Sequence, residues 1–123
     1  MSSLNISNSR FINNSAATYG GAVYISYSSF NNITQSHFED NRAKDGGAIY
    51  SELAYLDAHY NSFINNRDDS NLTAVSVYTI VDFDYNWWGS NDDPLDLVSS
   101  EIYLDKWVVM SVAYNETAYL DGN

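Results

Sequence analysis

A chain of 123 residues, 45% of them apolar, can bury one modest hydrophobic core and is too apolar to be disordered. Sixteen acidic against five basic side chains give a net charge of −11. That excludes nucleic acid and anionic membrane surfaces, which both require basic side chains against phosphate. There is no cysteine, hence no disulfide and no thiolate metal site.

No apolar run approaches the ~18 residues of a membrane span. The opening "MSSLNISNSR" lacks the basic region and apolar core of a signal peptide. The chain therefore either stays inside a cell or is a piece whose signal lies upstream.

In chain order the elements repeat. Ile6 leads to "FINN" at Phe11 and "GGAVY" at Gly20. Ile33 leads to "FEDN" at Phe38 and "GGAIY" at Gly46. Ala58 leads to "FINN" at Phe63 and then "LTAVSVY", where Ala74 is expected to take the place of Ala22 and Ala48. Phe83 leads to "WGSN" at Trp88, an aberrant fourth copy. The aromatics Phe11, Phe38, Phe63 and Trp88 are spaced 27, 25 and 25, and Asn14, Asn41, Asn66 and Asn91 keep the same steps.

Within the copies, apolar residues alternate. Leu56, Ala58 and Tyr60 are expected on one face, as are Val81, Phe83 and Tyr85, and again Val75 and Val77. Period two means strands, and no stretch carries the 3.6 period of a helical repeat. Several short strands per ~26-residue repeat describe an all-β, right-handed parallel β-helix, a solenoid of about four coils of ~25–27 residues. In it Phe11, Phe38, Phe63 and Trp88 form an internal aromatic stack. Asn14, Asn41, Asn66 and Asn91 form an amide ladder at a corner. Gly20-Gly21 and Gly46-Gly47 make bends, and the third coil, "SNLTAVSVY", lacks that pair. "SAATY", "RAKD" and "RDDSNL" are expected as exposed loops.

The pattern FxxN followed by GGA[VI]Y resembles the repeats of archaeal, methanogen adhesin-like surface proteins. It is also similar to the repeats of chlamydial polymorphic outer-membrane proteins. "DYNWWGSNDDP" at 84–94 resembles the last β-helix coil of the methanogen proteins, and "KWVVM" from Lys106 resembles the opening of a following immunoglobulin-like repeat. The resemblance implies two segments: residues 1–97 as the β-helix, and 98–123 as a linker and the start of a truncated second β domain. It implies secretion and a cell-surface, adhesive role, with the signal in an upstream region. Pro94 is expected to close the last coil, because proline cannot extend a ladder.

Candidate chemistry is sparse. Asp68-Asp69 beside Arg67 is the best acid pair for a polysaccharide lyase or hydrolase, against an ordinary Asp-rich turn. Asp82, Asp84, Asn86 and Asp93 fall at calcium-loop positions, but Trp87 replaces the obligatory glycine, and a strand would set the first three in an outward row. His37 and His59 occupy non-equivalent positions and form no triad. Asn5, Asn13, Asn32, Asn71 and Asn115 are candidate N-glycosylation acceptors. Tyr24 and Tyr50, at equivalent positions, are candidate sugar-stacking side chains or a cross-strand ladder.

The sequence thus assigns no catalytic, cofactor or metal residue. It points to a non-enzymatic fragment of a secreted adhesin-like protein, a rigid stalk whose partners are cell-surface glycans or other cells, with self-stacking at open coil ends. The rival classes are a pectate-lyase-like enzyme and a glycan-binding module.

Overall fold

A computed structural model describes residues 3–111. The strands are β1 (Leu4–Ser7), β2 (Arg10–Ile12), β3 (Val23–Ser26), β4 (Phe30–Thr34), β5 (His37–Glu39), β6 (Ile49–Glu52), β7 (Tyr55–His59), β8 (Ser62–Ile64), β9 (Ala74–Val77), β10 (Val81–Asp82) and β11 (Ile102–Tyr103). All pairings are parallel and join each strand to its equivalent one coil away. Three sheets result: β1-β4-β7-β10-β11, β2-β5-β8 and β3-β6-β9. This is a parallel β-solenoid of about four turns, as the period-two repeat requires. The one helical piece among the described residues is a 3-10 turn at Pro94–Leu97.

Stacking equal residues on equal residues fills the interior. Phe11 lies on Phe38 at 4.8 Å, Phe38 on Phe63 at 5.0 Å and Phe63 on Trp88 at 4.8 Å, all near parallel. Ile33 and Ala58 are fully buried in the adjoining column, with Phe83 buried beyond them.

The amide ladder forms over three of its four members. Asn41 Oδ1 accepts from the Asn14 backbone N–H at 2.9 Å, and Asn66 Oδ1 accepts from Asn41 Nδ2 at 2.7 Å. Asn91 leaves the column, is exposed, and bonds both backbone groups of Met110. A second ladder runs through Ser9, Ser36, Asn61 and Asn86, the first three each donating a backbone N–H to the next side chain.

The corners need left-handed backbone. Asn13, Asp40 and Asn65 take φ of 56–58° just before the first ladder, so the left-handed residue and the ladder amide are neighbours, not one residue. Gly20 and Gly46 hold positive φ, and Asn71 does so in the third coil. Gly47 is needed for a different reason: a Cβ there would sit 2.2 Å from the Arg67 backbone nitrogen. The third bend thus keeps its shape without the Gly-Gly pair, because Asn tolerates the αL region.

Several expectations change. Ala74 pairs with Ile49, and Thr73 carries the bond to Ala48. That one-residue shift turns Ala74 and Ser76 inward and leaves Val75 and Val77 half-buried, since a slip by one exchanges the two faces. Tyr60 does not share the buried face of Leu56 and Ala58, nor Tyr85 that of Val81 and Phe83; both tyrosines are exposed at left-handed corners. Asn86 is fully buried in the second ladder and Asp84 is buried, so Asp82, Asp84 and Asn86 do not form an outward row. The loop segments are partly in register, through the bridges Ser15↔Arg42, Arg42↔Arg67 and Tyr19↔Asp45.

Pro94 does not end the coil. It is buried at the start of the 3-10 turn capped by Asp93, after which Val98 bridges Ala74, β11 joins the five-stranded sheet, and Trp107 bridges Asn86. The solenoid therefore runs beyond residue 97. Most of the "VVM…" extension assigned to a following domain lies outside the described residues.

Candidate functional site

The five-stranded sheet presents the most distinctive outer face. Alternation along β4 and β7 sends Phe30, Asn32 and Thr34, then Tyr55, Asp57 and His59, outward, while Asn31, Ile33, Leu56 and Ala58 are buried. Register stacks these into columns. One runs Asn5, Asn32, Asp57, Asp82 and Tyr103. Beside it Phe30 stacks on Tyr55 at 5.8 Å and 20°, with the two side chains 69% and 59% exposed. Ile80 and Tyr78 continue this apolar strip at 71% and 79% exposure, and with Leu53 they line a groove. On the other flank His59 follows Thr34, its ring edge-on to Tyr60 and Tyr85.

The polar column is electrostatically strained. Asp57 and Asp82 stand directly opposite one another, a placement that costs stability for like charges. His59 Nε2 lies 3.2 Å from Asp82 Oδ1. The Tyr103 phenol is pushed above its ordinary value by the Asp105 carboxylate first, then by burial and by Asp84 and Asp82. Asp57, His59 and Asp82 are the titratable cluster that the fold assembles from separate coils.

The other expected residues take structural places. Asp68 is buried: Oδ1 accepts from the Ser70 and Leu72 N–H groups and Oδ2 from Gly46 N–H, so it clamps a bend. Asp84 Oδ1 accepts from the Asp105 and Lys106 backbones, and Asp93 caps the 3-10 turn, so the calcium-loop residues do not converge. Tyr24 is exposed, but Tyr50 is buried beneath Tyr19, whose ring lies 4.4 Å away. His37 pairs with Glu39 at 2.8 Å on a different sheet from His59. Asn5, Asn13, Asn32 and Asn71 are all exposed; Asn115 lies outside the described residues.

Comparison with known proteins gives one likeness. Residues 8–26 and 35–52 match the Chlamydia polymorphic membrane protein repeat, which covers the first two Phe–Asn–Gly-Gly copies. The chain is similar to that repeat over these two copies, with a β-solenoid fold to match. No curated protein and no solved structure matches the chain. Among the described residues no helix is long and apolar enough to cross a membrane.

Proposed function

We propose that this chain is a non-catalytic, rigid display segment of a secreted, adhesin-like surface protein. The outer face of its five-stranded sheet engages glycans. One observation carries the proposal: the exposed Phe30–Tyr55 stack, extended by Ile80 and Tyr78, beside a column of Asn and Asp side chains. Aromatic faces pack against the C–H faces of sugar rings, and amides and carboxylates accept or share hydrogen bonds with hydroxyls. The interior stacks and ladders supply stiffness and leave little polar machinery unused.

The likeness to a membrane-protein repeat supports placement at a cell surface, and the exposed Asn-X-Ser/Thr sites at Asn13 and Asn71, outside the five-stranded sheet, fit a glycoprotein. The archaeal adhesin-like pattern of the sequence belongs to the same proposal. Against a lyase or hydrolase stands the structural employment of Asp68 and Asp84.

A glycan array tests the proposal. Phe30→Ala/Tyr55→Ala is expected to reduce binding at least tenfold with unchanged circular dichroism, while Tyr24→Ala leaves it intact. Binding that survives the double substitution overturns the assignment of the face. New reducing ends or unsaturated sugars released from polysaccharides would favour the enzyme class instead.

A further inference from the structure

The geometry points to a divalent metal site of the zinc class on the outer face, built from Asp57, His59 and Asp82. One ligand atom from each lies within 4.8 Å of the other two. Asp57 and His59 are alternate residues of β7 and therefore project from the same face. Asp82 joins them because β10 pairs with β7 in the register Asp82↔Asp57.

Two further observations distinguish this trio from a chance acidic patch. His59 Nε2 is sealed from solvent and has no hydrogen-bond partner; its 3.2 Å approach to Asp82 Oδ1 lacks hydrogen-bond geometry. An unpaired imidazole nitrogen facing a carboxylate of the next coil is a donor pair that a divalent metal can join. Secondly, Asp57 and Asp82 are stacked like charges in a chain of net charge −11. A dication between them removes that repulsion and satisfies Nε2 together.

Ligand chemistry selects the ion. Imidazole with carboxylates suits zinc and its transition-metal neighbours, whereas calcium and magnesium prefer all-oxygen shells. Tetrahedral zinc with bonds of about 2.0–2.2 Å places neighbouring ligands on the order of 3.3 Å apart. The His59–Asp82 separation already meets that spacing, and the exposed Asp57 carboxylate lies within 4.8 Å of both. Three protein ligands leave a position open to water or to a ligand oxygen.

The site shares Asp57 and Asp82 with the proposed glycan face, but its readout is metal binding and not glycan binding, so either proposal can fail alone. Titration of the metal-free full chain with Zn²⁺, by calorimetry and by competition with a chromophoric chelator, is expected to show one ion per chain. His59→Gln, which keeps the side-chain bulk, and Asp82→Asn are each expected to weaken binding at least tenfold with unchanged circular dichroism. His37→Ala, on another sheet, is expected to change nothing. Absence of binding by the wild-type chain, or equal binding by His59→Gln, overturns the site. Displacement of Zn²⁺ by equimolar Ca²⁺ also overturns it, because an oxygen-only surface would then hold the ion.

Discussion

Asn61→Ala measures what the second ladder contributes. Asn61 is 3% exposed. Its Oδ1 accepts from Ser36 N–H at 3.0 Å, and its Nδ2 donates to the Ile33 carbonyl at 2.8 Å and to Asn86 Oδ1 at 3.1 Å. Ser36, Ile33 and Asn86 are themselves buried, so water does not replace the lost partners. Three net hydrogen bonds are worth about 3 kcal/mol, and stranding buried Ser36 N–H raises the expected loss to about 3–5 kcal/mol. Asn86 Oδ1 keeps its bond from Asn61 N–H, which holds the figure below a full ladder deletion. Asn91→Ala is the control: its bonds to Met110 are exposed, and about 1 kcal/mol or less is expected. Urea unfolding followed by circular dichroism reads both. A loss below 1 kcal/mol at Asn61, or one no larger than at Asn91, would refute the ladder as a stabilising column.

Gly47→Ala forces a Cβ against the Arg67 backbone, which cannot yield, and should cost about 2–3 kcal/mol in urea unfolding. Gly89→Ala meets no atom closer than 3.8 Å and should cost only the positive-φ penalty of about 1–2 kcal/mol. Leu53 is exposed with φ of 50°, so Leu53→Asn should stabilise by about 0.5–1 kcal/mol, read as a higher urea midpoint. The Tyr50 phenol is pushed above 10.0 by burial first, then by Tyr19, Glu52, Asp45 and Tyr24. Its neutral form is favoured more in the folded chain, so that stability is complete below pH 10 and is lost as pH rises through the folded-state value. Tyr50→Phe should therefore show a shallower fall in urea midpoint between pH 9 and 11 than the wild-type chain.

The solenoid was legible because identical residues recur where coils stack. Phe11, Phe38 and Phe63 announce an interior column, and Asn14, Asn41 and Asn66 announce a corner. The second ladder was hidden by its mixed composition, Ser9 and Ser36 before Asn61 and Asn86. Its signal was positional: a small polar residue two places before every stacked aromatic.

Ala74 misled because matching it to Ala48 by identity ignored the length of the preceding bend, whereas backbone pairing sets it against Ile49. Left-handed corners at Tyr27, Tyr60, Tyr78 and Tyr85 had no local signal, since tyrosine has no preference for that region. The Asp57–Asp82 contact was one application of the 25-residue step away. The sequence concealed it because just two adjacent positions of that column carry a carboxylate, with Asn32 and Tyr103 flanking the pair.

The most direct test of the functional account is surface binding by the intact chain and three face-specific variants. Phe30→Ala/Tyr55→Ala alters the five-stranded sheet, Tyr24→Ala the β3-β6-β9 sheet and His37→Ala the β2-β5-β8 sheet. Loss of glycan or cell binding confined to the first variant is the predicted result. Equal binding by all four chains, or loss confined to another face, would contradict it.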